Sequence, residues 1–560
     1  MGILLLAFVP VLASAQQLYD IIIQELMIDP TPIVGLPATE WIELKNRSVT
    51  PVQLQGWRLA TATAISGPLP PYLLKPDSIV VLCATSSLAA LQPFGPVIAV
   101  PSFPSLDNES TTVRMEHNGR VIHAIAYQRS WYRNALKQEG GWSLEMIDTR
   151  NPCNNEENWR ASNDPSGGTP GKNHQDNQTF TDTRAPLLYK AISHADTIVH
   201  LYFTEPLDSA TAVQSSRYAV GDLVVYNVSV LSPLYNIVQL RTDPMLQGTV
   251  YPVRVAIAED CAGNASTGMS ASIGISTAAL EGDVVINEVL FNPRSPGADF
   301  IELYNRSGKV IELAELYLAS RNDAGTISTP IRLSDEPHYI FPGEHIALST
   351  APSILIEQYP AAATGKLLRI AAMPSMPDDE GNVMVLNASG TIIEELAYTE
   401  RWHFALIADP EGISLERIDP DKPANDPTNW HSAGSFAGYA TPGYINSQHR
   451  ESMPAEGMIR LVTPVFSPDN DGMEDYCLLD YTFPDQGWVA SVSIYNERGF
   501  MVRELVNNEL AGTRGNWRWD GLGDAMQPLP MGHYILLAEC FHVDGRRERK
   551  KLLVVLAHRP

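Results

Sequence analysis

Part of this sequence occurs twice, and no other feature restricts the fold as tightly. Ile23-Gln24-Glu25-Leu26-Met27-Ile28-Asp29-Pro30 recurs as Ile286-Asn287-Glu288-Val289-Leu290-Phe291-Asn292-Pro293. Glu40-Trp41-Ile42-Glu43-Leu44-Lys45-Asn46-Arg47-Ser48 recurs as Asp299-Phe300-Ile301-Glu302-Leu303-Tyr304-Asn305-Arg306-Ser307. Further on, Ala126-Tyr127 and Trp131 correspond to Ala397-Tyr398 and Trp402, and Ser143-Leu144-Glu145 to Ser414-Leu415-Glu416. Asn158-Trp159 corresponds to Asn429-Trp430, and Thr169-Pro170-Gly171 to Thr441-Pro442-Gly443. The order holds over about 150 residues, which chance does not produce. Two copies of one domain are predicted, at 18–176 and 281–448, with further domains at 184–277 and 456–560.

Each copy reads as short strands. Ile42-Glu43-Leu44 alternates apolar and polar side chains, as a half-buried strand does. Clusters such as Ser66-Gly67-Pro68-Leu69-Pro70-Pro71 punctuate the runs. The 42 prolines and 38 glycines suit many turns and few helices. Strands separated by repeated turn signals point to β-sandwiches.

The repeated motifs resemble the lamin-tail domain in its exported bacterial form, which implies an immunoglobulin-like sandwich for each copy. Between them, the alternating run Ile198 to Phe203 ends in Thr204-Glu205-Pro206, and Asp260-Cys261-Ala262-Gly263-Asn264 forms a later turn. That pairing resembles bacterial immunoglobulin-like modules. The last segment carries Val465-Phe466-Ser467-Pro468-Asp469-Asn470-Asp471-Gly472, Trp517-Arg518-Trp519-Asp520-Gly521 and Met531-Gly532-His533-Tyr534. It resembles the immunoglobulin-like modules related to the flagellar hook-capping protein, which often end exported proteins of Bacteroidota. The chain is thus expected to be all-β, a tandem of immunoglobulin-like β-sandwich domains.

Acidic residues outnumber basic ones 64 to 39, for a formal charge of −25. Such a surface repels phosphate backbones and anionic headgroups, so nucleic acid is not an expected partner. Residues 1–15 join an apolar run, Ile3 to Leu12, to the small-residue site Ala13-Ser14-Ala15. That is the pattern of a secretory signal peptide, although no Lys or Arg precedes the run. No later run reaches the length of about 18 apolar residues that a transmembrane helix needs. The five cysteines, Cys83, Cys153, Cys261, Cys477 and Cys540, lack any CxxC spacing, which argues against zinc. Cys83, inside an apolar run, is expected as a buried free thiol. Cys477 and Cys540, in one domain, either pair or stay free.

Three groups of residues invite chemistry. In Ser467 to Asp475, oxygen donors alternate with a turn-forming Gly, which suits calcium, with Asp469, Asp471 and Asp475 as candidate ligands. Against this, Asp480 stands where an EF-hand has its bidentate Glu, and an acidic turn capping the first strand explains the same residues. The pairs Glu25 with Glu43 and Glu288 with Glu302 have the residue types of a glycosidase. Their recurrence at the same strand positions favours buried strand-to-turn hydrogen bonds instead. Trp131, Trp159, Trp402 and Trp430 are read as core by the same logic, with a sugar-stacking platform as the alternative. The basic run Arg546 to Lys551 reads as a solvated hairpin edge.

No catalytic residues and no cofactor other than calcium are expected. The expected function is that of an exported structural or adhesive protein, at the cell surface or released, whose partners are envelope proteins or extracellular polysaccharide. Two alternatives remain. One is a binding module of an extracellular degradative system, which an exposed aromatic stripe would favour. The other is an enzyme with an unfamiliar site, which a pocket of clustered, perturbed carboxylates would favour.

Overall fold

A computed structural model describes residues 17–153, 156–172, 179–404, 407–449, 458–468 and 476–557. The chain is all-β, built from tandem immunoglobulin-like sandwiches, and among the described residues the helices between strands are short. None of the helices among the described residues is long and apolar enough to cross a membrane. Contacts group the chain into two units. The first runs to Leu246 and adds Tyr251–Gly274; the second takes Gln247–Val250 and the residues from Ile275 on.

In the first unit, one sheet has the order Trp159–Ala161, Leu144–Met146, Ile21–Met27, Trp41–Asn46, Ile79–Ala84, Val97–Val100. Only the last pair is parallel. A parallel neighbour requires a crossover, and the helical turns at 85–94 supply it. The facing sheet is Arg58–Ala60, Ser110–His117 and Arg120–Gln128. Ile23, Leu44, Trp57, Val113 and Trp159 fill the space between the two.

The sequence reading of Ile42-Glu43-Leu44 as a half-buried strand needs correction. Trp41, Ile42, Glu43 and Leu44 are all fully buried. The inner face meets the sandwich core, while on the outer face Trp41 and Cys83 pack against Leu91 and Phe94 of the crossover. Glu43 lies under a loop described below. The polar residue of the alternation therefore faces protein rather than water.

The rest of the first unit is a four-stranded sheet, Leu188–Ala195, Ile198–Phe203, Ile237–Thr242 and Val225–Leu231 in that order, facing Tyr218–Val220, Tyr251–Glu259 and Ala265–Ile273. Its alternation is regular: in Ile198–Phe203 every second residue, Val199, Leu201 and Phe203, is fully buried.

The second unit repeats the six-stranded arrangement with Leu367–Arg369, His345–Ser349, Phe300–Asn305, Val284–Leu290, Leu415–Arg417 and Trp430–Ser432. The parallel pair again sits at one end, here spanned by the helix Pro352–Gln358. Its second sandwich sets Val465–Phe466, Arg547–Leu556, Gly532–His542, Trp488–Asn496 and Met501–Leu510 against Ile459–Leu461, Cys477–Thr482 and Arg514–Trp519. Phe404 packs on Val489 and Leu510, joining the two sandwiches of this unit through apolar contact.

Candidate functional site

The repeated acids form a buried triad in each unit. A bulge falls between Ile23 and Glu25 where Ile21–Met27 pairs with Trp41–Asn46, and the same bulge recurs between Ile286 and Glu288. Beyond it Glu25 stands opposite both Glu43 and Glu145, and Glu288 opposite Glu302 and Glu416. Three neighbouring strands thus place three carboxyl groups side by side, and a Thr-Pro-Gly loop closes over them. The Thr169 backbone N–H and the Ser143 hydroxyl donate to Glu25 Oε1 at 2.8 and 2.6 Å. The Thr169 hydroxyl meets Glu25 Oε2 at 3.0 Å. Gly171 N–H donates to Glu43 Oε2 at 2.5 Å, and Gln24 to Glu43 Oε1 at 2.7 Å.

The second copy repeats the network. Thr441 N–H donates to Glu288 at 2.9 Å, Gly443 N–H to Glu302 at 2.6 Å, and Asn287 takes the place of Gln24 at 2.8 Å. Loss of hydration, and then the negative charge of neighbouring acids, pushes Glu25, Glu43, Glu288 and Glu302 well above their usual range, to about 8 for Glu43 and Glu288. The bonds run from strand to turn, as the recurrence implied. All six acids are 4% exposed or less, and their oxygens anchor the loop above them.

Other repeated motifs have similar roles. Asn46 is fully buried and donates to Thr50 O and Leu74 O, while Asn305 donates to Lys309 O and Ile340 O. Trp131 and Trp159 lie 6.3 Å apart, and Trp402 and Trp430 6.2 Å apart. All but the half-buried Trp402 are core residues. The Trp430 indole donates to Ala424 O at 2.6 Å, whereas that of Trp159 is buried with no acceptor among the described residues. The candidate calcium ligands Asp469, Asp471 and Asp475 lie outside the described residues, as do residues 1–15. In the basic run, Arg546 pairs with Asp485 and Asp544 at 2.6 and 2.7 Å, and Arg549 with Glu539 at 3.1 Å, on a hairpin strand.

The features that the sequence reading missed gather where the two sandwiches of the first unit meet. Cys153 and Cys261 form a disulfide, with Cα atoms 6.4 Å apart and a sequence separation of 108. Cys83, Cys477 and Cys540 are buried and unpaired. Beside the bridge is a cavity of about 310 Å³, lined by Trp131 and Cys153 on one side and by Glu205, Pro206 and Tyr235 on the other. The Tyr235 hydroxyl crosses the junction to Val121 O at 3.1 Å. His123, fully buried nearby, accepts from Ile23 N–H at Nδ1, so its Nε2 carries the proton facing Pro152 O at 3.2 Å. Burial lowers its pKa to about 4 and keeps it neutral.

Glu205, Asp182 and Asp260 converge at this junction, with one oxygen of each within 4.8 Å of the others. Burial, and then the charges of Asp182 and Asp260, raises Glu205 to about 7. The signals were present in Thr204-Glu205-Pro206 and in the Asp260 to Asn264 turn, but they stand far apart in sequence. The outer face of the adjoining four-stranded sheet carries exposed rings. Tyr189 is 61% and Tyr226 66% exposed; Tyr189 lies 6.4 Å from Tyr202, and His194 lies 4.1 Å from His200.

Residues 277–400 match the Lamin Tail Domain family. No curated protein matches the chain. Among solved structures, the N-terminal part of the bacterial S-layer protein SbsC is similar at 16% identity, over 29% of this chain and 40% of that one, with a TM-score of 0.16. A DUF4876 family protein from Bacteroides thetaiotaomicron is 12% identical over 37% of this chain and 83% of its own, with a TM-score of 0.18. The adhesin InvE of Yersinia pseudotuberculosis is 10% identical over 38% and 58%, with a TM-score of 0.15. The chain spans 40% to 55% of the S-layer structures it matches.

Proposed function

We propose that this chain is an exported structural or adhesive protein of a bacterial surface, acting through protein or polysaccharide binding and without catalysis. The observation that carries the reading is the Cys153–Cys261 bridge, which ties one sandwich to the next. Disulfides persist in oxidising compartments, and a cross-link between modules resists their separation. The reading is further supported by the buried acids, whose oxygens anchor loops in both copies. The domain plan proposed is a lamin-tail-like domain at 18–176, an immunoglobulin-like domain at 184–277, a second lamin-tail-like domain at 281–448 and a hook-capping-like module at 456–560. The first copy shares the motifs and strand order of the copy that matches the family. A signal peptide at 1–15 and an origin in Bacteroidota belong to the same proposal.

Protease shaving of intact cells, with mass spectrometry of the released peptides and of the medium, tests it. Peptides of both repeat copies released from cells are the expected result. Intact protein in the medium with none on cells overturns attachment to the surface.

A second reading, a polymer-binding module of a degradative system, is favoured by the exposed rings of Tyr189 and Tyr226 beside the half-buried Tyr202, since aromatic faces stack on sugars. Retention of the chain on insoluble polysaccharide, lost in Tyr189→Ala/Tyr226→Ala, is its expected outcome. Equal retention of that variant overturns it.

A further inference from the structure

We infer that Asp182, Glu205 and Asp260 form a calcium site that fastens the segment joining the first two sandwiches to the second of them. The three residues come from separate segments. Asp182 lies in the connection between sandwiches, Glu205 follows the strand Ile198–Phe203, and Asp260 opens the turn after Tyr251–Glu259. One oxygen from each lies within 4.8 Å of the others. Oxygens bound to one calcium ion at 2.3–2.6 Å are necessarily about this close.

Acidic residues often cluster without an ion, and what sets this cluster apart is Glu205. It is 4% exposed, it accepts no hydrogen bond from any described residue, and its carboxylate faces two others. A buried carboxylate without a partner is costly, so the environment calls for a positive charge. Arg184, whose charge reaches Glu205, is itself paired with Glu157 at 2.5 Å.

The flanking acids are held in place as ligands need to be. Ala262 N–H and Asn264 N–H donate to Asp260 Oδ1 at 2.8 and 2.9 Å, and Asn264 Nδ2 to Asp260 Oδ2 at 2.8 Å. That leaves Oδ2 a further acceptor position. Arg184 N–H donates to Asp182 Oδ1 at 3.0 Å. The bridge from Cys261, next to Asp260, fixes the turn against the first sandwich. An all-oxygen, anionic donor set matches a hard cation; zinc prefers nitrogen and sulfur. Three carboxylates leave several positions for water, a composition suited to calcium, which takes 6–8 oxygens in flexible geometry. Extracellular modules of this kind bind with dissociation constants of about 10⁻⁴ to 10⁻³ M.

The test is equilibrium binding of calcium chloride to the full chain after EGTA treatment, in wild type, Glu205→Gln, Asp182→Asn and Asp469→Asn/Asp471→Asn. The last variant removes the other candidate calcium loop from the count. Melting in EGTA confirms that each variant folds, and Asp182→Asn, on a partly exposed residue, serves if Glu205→Gln does not. The expected result is a calcium site retained in Asp469→Asn/Asp471→Asn and weakened tenfold or more in both Glu205→Gln and Asp182→Asn. Calcium raises the melting temperature of the wild type, and this rise is lost in the same two variants. Unchanged binding in Glu205→Gln and Asp182→Asn overturns the site. So does the absence of any calcium retained by Asp469→Asn/Asp471→Asn at about 10 mM, which leaves a proton as the charge that neutralises Glu205.

Discussion

Glu288 receives the Thr441 N–H and the Ser414 hydroxyl on one oxygen and faces the Thr441 hydroxyl with the other. A glutamine fits the same place: its oxygen keeps both donors, and its amide donates to the threonine hydroxyl. The exchange therefore isolates charge from shape. The folded carboxyl is raised to about 8 by burial and by Glu416, against 4.5 ordinarily. Between those values the folded state keeps a proton that the unfolded chain releases. Stability from this group is thus complete below about pH 4.5 and is lost as pH rises through 8. Glu288→Gln removes that loss, so variant and wild type unfold alike near pH 4. At pH 8 the variant is the more stable by about 1 kcal/mol or more. Urea midpoints from pH 4 to 8 measure this, and parallel curves contradict it. His403 and His431, both lowered to about 4 by burial, act in the opposite sense, but they cancel in the comparison.

At the scale of the loop, the glycine of Thr-Pro-Gly explains why that motif recurs. Gly171 has φ +76°, and a Cβ there would meet Phe94 O at 2.3 Å and Gly95 Cα at 2.8 Å, both backbone. An alanine has to move the loop and withdraw the N–H from Glu43. Gly171→Ala is expected to cost about 3 kcal/mol or more, from the left-handed backbone and the orphaned Glu43 carboxyl together. Gly56 has φ +83° with nothing within 4 Å of a Cβ, so Gly56→Ala costs only about 1–2 kcal/mol. Equal losses in chemical denaturation contradict the anchoring role. The same loop marks where sequence reading succeeds and stops. Ile42-Glu43-Leu44 declares a strand because alternation is local. That its polar residue is buried depends on Gly171, 128 residues away, and alternation holds no record of such a partner. Glu25, Glu43, Glu288 and Glu302 were legible as anchors only through recurrence. Asp182, Glu205 and Asp260 occur once, on three segments, and needed the fold to bring them together.

Across the whole chain, the bridge between Cys153 and Cys261 separates two modes of cohesion. The second unit joins its sandwiches by apolar packing of Phe404 on Val489 and Leu510. The first adds a covalent link that closes a loop of 108 residues. Reading the sequence domain by domain looked for pairs within a domain, Cys477 with Cys540, and passed over a pair between domains. Closing so long a loop restricts the unfolded chain by about 4–5 kcal/mol in the entropic account, of which proteins commonly realise 2–4. Cys261→Ser is therefore expected to lose about 2–4 kcal/mol in urea denaturation and to expose residues 179–187 to proteolysis. Dithiothreitol should reduce the wild type to the level of the variant and leave the variant unchanged. Cys83, Cys477 and Cys540 have no disulfide to reduce, and burial raises their thiols to about 11, 12 and 12. If dithiothreitol leaves the wild type as stable as before, the bridge is not what holds the first unit. The cross-link then no longer supports export, because a chain indifferent to reduction is equally at home in a reducing compartment.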